Sequence, residues 1–297
     1  MSGSGQRVRV VVKTLDGLVK LKQTALLTLS GYTAFLVGGG VHKPLHEHLA
    51  VLILSYASIA AVTAINMYFD RDIDALMPRT MSRPLAAGLL SPGSVLAAAA
   101  AILAASILAS IYLVNIYFAA AIILGFIFDI VAYTLLLKRR TPLNIVAGAI
   151  AGGAPALGGW AAATGVVDVN ALLFSLLVVS WVPPHIWFLA TYFRDDYRAA
   201  RIPMLPAVTD HQMTAVGIGL GSVMMAYSVV GLYLTGAIGV ASLVYSLAAS
   251  IHIFALAVGL STLERGHREY AWKAFRIVNM HLGMSYLIMI LEKALAM

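Results

Sequence analysis

The chain is 297 residues long, 61% of them hydrophobic and only 11% charged, where a soluble domain is nearer half apolar and a quarter charged. This composition excludes a soluble globular enzyme and describes a polytopic membrane protein, and the lack of any cysteine excludes disulfides, thiolate metal sites and cysteine nucleophiles. The net charge of +7 is sorted by membrane face rather than gathered in a patch, which argues for topology and against nucleic acid as a partner.

In chain order, residues 1–23 read as a cytoplasmic N-terminal segment with an interfacial helix carrying Lys13, Lys20 and Lys22. Its first apolar stretch, 8–12, is too short for a signal peptide. Residues 24–297 read as one transmembrane domain. Nine apolar stretches follow, at 24–40, 48–69, 92–114, 116–136, 142–163, 170–190, 212–235, 237–260 and 274–295, each of a length that a bilayer core demands. The expected fold class is therefore all-α, with about nine transmembrane helices. With the faces numbered by alternation, 18 of the 20 Lys and Arg fall on the side of the N-terminus, and only Lys43 and Lys293 fall on the other. The positive-inside rule places that basic side in the cytoplasm and the C-terminus outside.

The second span runs into the acidic segment Asn66-Met67-Tyr68-Phe69-Asp70-Arg71-Asp72-Ile73-Asp74. Clustered acids at a membrane edge are costly unless a cation sits among them. Asn66, Asp70 and Asp74 stand at i, i+4 and i+8, within roughly 80° of one helix face, while Asp72 points nearly opposite. Two carboxylates and an amide oxygen on one face suit Mg²⁺, which keeps several waters and bridges to phosphate oxygens. The plain alternative is a solvated helix end paired to Arg71. Pro78 is expected to stop this helix nearby. Arg79 and Arg83 follow directly, and arginine forks match phosphate oxygens.

Asp129 lies within the fourth span, where a carboxylate is either functional or paired with a donor from a neighbouring span. Lys138-Arg139-Arg140 ends that span. The sixth span carries Trp181-Val182-Pro183-Pro184-His185-Ile186-Trp187. The two prolines interrupt its hydrogen-bond ladder at His185, which lipid tolerates only where protein or a cavity re-satisfies the freed groups. Arg194-Asp195-Asp196-Tyr197-Arg198 follows, where one aspartate is free to bind metal while the other pairs with Arg194 or Arg198. His252 and His281 are buried-histidine candidates, and His42, His46 and His48 form a small cluster on the outer side. A transport reading fits poorly, because the acids lie on one face only and the outward loops are short.

The stretches 66–88, 133–165 and 183–208 together resemble the intramembrane prenyltransferases of the UbiA superfamily, and the last two resemble its heme-modifying branch. Met67 after the motif Asn, and adjacent rather than spaced aspartates at Asp195-Asp196, both fit that branch. Many members have Lys-Pro-Arg at the start of the first span, where this chain has Lys22-Gln23-Thr24. The resemblance implies helices around a central cavity open to the cytoplasm. It implies that Asn66, Asp70 and Asp74, with Asp195 or Asp196, hold Mg²⁺ and a prenyl diphosphate. Arg79, Arg83, Lys138, Arg139 and Arg194 then neutralise the leaving group, with Tyr197 in the second polar motif. It further implies a farnesyl or longer prenyl donor and protoheme IX as acceptor, with His185 and Trp187 near the heme, alongside Trp181. A quinone-precursor ring or an archaeal lipid glycerol is the alternative acceptor. A heme-processing enzyme or a terminal oxidase is a partner by analogy only.

Overall fold

The computed structural model describes residues 14 and 16–295, and it contains helices and no strand among them. The helices are α1 (Leu21–Val37), α2 (Leu45–Asp74), α3 (Pro92–Leu113), α4 (Ile116–Leu137), α5 (Asn144–Thr164), α6 (Val169–Tyr192), the short α7 (Arg194–Ala199) and α8 (Leu205–Val208), α9 (His211–Leu234), α10 (Val240–Thr262) and α11 (His267–Leu295). Eight of them are long and apolar enough to cross a membrane. The ninth expected span, α1, has 17 residues, which at 1.5 Å per residue is close to the lower limit for crossing.

Local chemistry sets the helix starts. Asn115, Asp168 and Asp210 cap α4, α6 and α9 by accepting from the backbone N–H groups of Phe118, Ala171 and Met213 at 2.9, 3.0 and 2.7 Å. Pro92 occupies the first turn of α3, where its missing N–H costs nothing. Gly165 closes α5 at φ 76°, a left-handed position that favours glycine.

Helices α5 and α6 pack against each other along their length and form the spine. On one side α5 carries α1 and α4, with α2 and α3 beyond them, and on the other α6 carries α9 and α11 with α10 outside. Small residues permit these approaches, as membrane helices require. A Cβ on Gly31 of α1 would sit 2.8 Å from the Pro155 carbonyl oxygen of α5, and Gly159 meets the Gly31 backbone in return.

Two features depart from the expectations. Helix α6 runs unbroken through Pro183 and Pro184. Gly221 of α9 lies so close there that a Cβ would meet both Pro184 Cδ and the Ser180 carbonyl oxygen at 2.8 Å, so neighbouring protein covers the carbonyl that Pro184 leaves without a donor. The last eleven residues of α4, Ile127–Leu137, are π-helical rather than α-helical.

Candidate active site

A cavity of about 650 Å³ lies between α1, α2, α4, α5, α6 and α11. Its walls are largely apolar, with Leu26, Ile59, Phe118, Ile122 and Gly158 among them. Its polar end gathers Asn66, Asp70, Asp74, Arg79, Arg83, Lys138 and Tyr197. Seven of the residues expected from the sequence to act together are thus brought to one place.

The spacing on α2 explains the acidic side. The helix continues through Phe69 to Asp74, so Asn66, Asp70 and Asp74 share one buried face while Asp72 turns outward. Each carboxylate has a cation. Lys138 Nζ donates to Asp70 Oδ2, and Arg83 Nη1 donates to both oxygens of Asp74 at 2.7 and 2.8 Å. The loop after α2 is pinned back to bring Arg83 there, since buried Thr80 donates to the Asp74 carbonyl at 2.9 Å. Burial opposes the charge of Lys138, but Tyr133 and Asp70 outweigh it and hold its pKa above the ordinary lysine value.

The π-helix sets the opposite wall. Asp129, Tyr133 and Lys138 all line the cavity. Nine residues of α-helix turn about 900°, which would put Lys138 on the far side from Asp129. A π-helix bonds i to i+5 and turns nearer 82° per residue, which returns the ninth residue to within about 20° of the first. The wide turn is fastened at Thr134, which donates to the Asp129 carbonyl at 2.6 Å and accepts from Asn66 Nδ2 at 2.7 Å.

Arg79 is held ready by aromatic faces. Its guanidinium lies 5.0 Å from the Phe193 ring and 5.3 Å from the Tyr197 ring, and Nη2 donates to the Tyr197 hydroxyl at 2.9 Å. Its Nε is buried without a partner. On another wall of the cavity, His185 stacks on Trp181 and lies tilted against Phe275, with ring centroids 4.3 and 4.9 Å away, and its Nδ1 is buried without a partner.

Five expected residues lie elsewhere. Arg139 pairs with Asp72 at 2.7 and 2.8 Å on the surface, outside the cavity. Arg194 donates to the Thr209 carbonyl at 2.7 Å and meets His211 Nε2 at 3.2 Å, tying α7 to the start of α9. On the six-residue α7, Tyr197 takes the cavity-facing side, which leaves Asp195 exposed and Asp196 half-buried off the lining. Trp187 packs against Gly217 of α9 and not into the cavity. It stands six residues from Trp181, about 240° round the helix, whereas His185 at four residues shares Trp181's face.

Conversely, Lys20 and Lys22, read as interfacial, line the cavity. Lys20 adopts a left-handed turn, φ 48°, between a helical turn at 16–19 and α1. That conformation is unusual for a residue with a side chain and has no signature in the sequence. Burial pushes the Lys20 ammonium down to about 8, with Arg83 and Lys138 adding to the shift and Asp129 and Asp70 opposing it. Arg7, Arg9 and Lys13 lie outside the described residues.

The donor set fits a divalent cation. Asp70 Oδ1 is buried with no hydrogen-bond partner, a costly state that a cation would relieve. The Asn66 amide nitrogen is taken by Thr134, which frees its oxygen. Among the described residues, no group of three or more His, Cys, Asp or Glu could hold a metal by itself, so further oxygens must come from substrate and water, as Mg²⁺ sites on phosphates usually have it.

Residues 25–283 match the UbiA prenyltransferase family. A protoheme IX farnesyltransferase from Hyperthermus butylicus is 57% identical over 98% of this chain and 97% of its own length. A solved digeranylgeranylglyceryl phosphate synthase aligns with a TM-score of 0.77 at 17% identity, over 95% of this chain and 98% of that one. A UbiA homolog from Archaeoglobus fulgidus, bound to GPP and Mg²⁺, aligns with a TM-score of 0.59 at 16% identity, over 93% and 99%. At those identities the two structures bear on the fold alone.

Proposed function

The chain belongs to the UbiA prenyltransferase family, and we propose that it transfers a farnesyl or longer prenyl group from its diphosphate to a vinyl group of protoheme IX. The acceptor is carried by the identity to the protoheme IX farnesyltransferase over nearly the whole chain. The chemistry is supported by the polar end of the cavity, where carboxylates and cations meet an apolar chamber.

Asp70, Asp74 and the Asn66 oxygen would hold Mg²⁺, which supplies charge neutralisation at the diphosphate as it leaves. Lys138 and Arg83 then exchange their carboxylate partners for phosphate oxygens, and Arg79 offers its unpartnered Nε to the same group. Groups aimed where negative charge develops favour the transition state over the bound ester. The apolar walls keep bulk water from the allylic cation until the vinyl group attacks it. His185, with Trp181 and Phe275, orients the macrocycle against the cavity wall. Asp195 and Asp196 stand outside the chamber at rest and reach the metal only if α7 turns inward. The basic partition of the loops supports a polar mouth facing the cytoplasm, with a single multi-pass domain in the cell membrane carrying all of these groups. A heme-processing enzyme or terminal oxidase would be the consumer of the product.

The experiment is turnover by purified protein with Mg²⁺, farnesyl diphosphate and protoheme IX, read by mass spectrometry beside Asp70→Asn. Prenylated heme from the wild type and none from the variant is the expected result. Diphosphate release only with a quinone precursor or a glycerol lipid would keep the chemistry and overturn the acceptor.

A further inference from the structure

Three carboxylates line the cavity, and two of them are engaged: Asp70 by Lys138 and Asp74 by Arg83. Asp129 is the third. Among the described residues its carboxylate has no ion pair and accepts no hydrogen bond. The side-chain hydrogen bond at this residue reaches its backbone carbonyl, from Thr134 Oγ1. It is half-buried and its open side is the cavity, where Ile122, Gly125 and Phe126 are neighbours on its own helix. An ionisable group left bare within a span is costly. Eleven residues of π-helix keep it facing inward, and π geometry inside a helix frequently marks a functional position.

The proposed reaction has a step that none of the diphosphate-binding residues serves. The vinyl π pair forms the new bond to C1 of the prenyl group, and the diphosphate departs with the electron pair of the C–O bond. The vinyl carbon next to the macrocycle is left electron-deficient. A water oxygen closes that vacancy by forming a C–O bond, and one proton must then leave the oxygen. Without a base for that proton, the cation sheds a carbon-bound proton and becomes an alkene.

We propose that Asp129 holds this water and takes its proton. The inference rests on the prenyl-transfer reading above. A buried water needs two to four polar partners. Asp129, Lys20 and Tyr133 all line this chamber. His185 also lines this wall with its Nδ1 unpartnered, but its ring is held between Trp181 and Phe275. Lys20 lines the same chamber, and the proton leaves afterwards with the departing diphosphate.

The test uses the full-length protein, Mg²⁺, farnesyl diphosphate and protoheme IX in a single turnover. Diphosphate release is followed together with the masses of the heme products. Asp129→Asn is expected to release diphosphate at close to the wild-type rate. Its ratio of hydroxylated to alkene product should fall roughly a hundredfold, the usual scale for a lost general base, and Asp129→Glu should recover most of it. An unchanged product ratio in Asp129→Asn, beside a wild type that makes hydroxylated heme, overturns the proposal. So does a parallel loss of diphosphate release, which would place Asp129 in the ionisation step. A lowered ratio that Asp129→Glu fails to recover, but that His185→Ala reproduces, assigns the base to His185 instead. A wild type that makes no prenylated heme at all overturns the acceptor reading, and this proposal with it.

Discussion

Replacing Gly159 by alanine forces α1 and α5 apart. A Cβ at Gly159 would lie 2.6 Å from the Gly31 carbonyl carbon, and ordinary contact begins at 3.4 Å, so the helices must separate by at least about 0.8 Å. The obstacle is backbone on a buried helix, which has no rotamer to change. A gap of 0.5–1 Å forfeits roughly a quarter to a half of the dispersion well for each atom pair, and dispersion is the main force between helices in lipid. Overpacking in a rigid site costs about 1–3 kcal/mol, and backbone on both sides argues for the upper end. Both helices wall the cavity, α1 with Leu26 and Leu27 and α5 with Ala151 and Gly158, so turnover should fall even where the variant stays folded. The assay is detergent-solubilised unfolding together with prenyl transfer, with Gly283→Ala as the control. A Cβ at Gly283 meets nothing within 4 Å, and alanine there should gain about 0.5–1 kcal/mol of helix preference. Gly159→Ala that matches Gly283→Ala in both stability and activity would refute the crossing described here.

Two further outcomes concern the cavity's charged and aromatic walls. Lys20→Met should stabilise the ligand-free protein at pH 7. The folded pKa of Lys20, about 8, is below its ordinary 10.5, so the unfolded chain binds more protons between these values and wild-type stability rises with pH through that window. The advantage of Lys20→Met, on the order of 3 kcal/mol at pH 7, should therefore shrink as pH climbs above 8. An advantage independent of pH, measured by unfolding at pH 7, 8 and 9, would contradict this account. His185→Ala should lose heme affinity, read from the heme absorption band on titration into purified protein. Unchanged affinity and turnover would remove His185 from the acceptor site.

Much of this was readable because the physical signals were local. Apolar runs of bilayer length fixed the helices, and the four-residue spacing of Asn66, Asp70 and Asp74 put them on one face before any packing was known. The same arithmetic sets Trp187 on a different face from Trp181 and His185, since residues six or two apart do not share a helical face. The rest depended on tertiary effects. Nothing in Ile127–Leu137 distinguishes a π-helix from an α-helix, so the shared face of Asp129 and Lys138 was hidden. The left-handed turn at Lys20 is held by its surroundings, as Asp16 accepts from Leu21 N at 3.2 Å and Thr24 donates to the Val19 carbonyl at 2.6 Å. Positive-inside counting assigns a lysine to a face but does not say whether it lies on the surface or in a chamber.

The resting pairs Asp70–Lys138 and Asp74–Arg83 bear on how a catalytic cycle ends. Inorganic diphosphate carries one more unit of negative charge than the ester it came from, so every cation that draws it off also grips it harder afterwards. A site built only of cations would choke on its own product. Here the two carboxylates compete for the same cations, and each restored pair returns a buried cation to a group of opposite charge. On the proposed reading, reclaiming Lys138 and Arg83 helps to expel diphosphate, and added diphosphate should compete with the prenyl substrate.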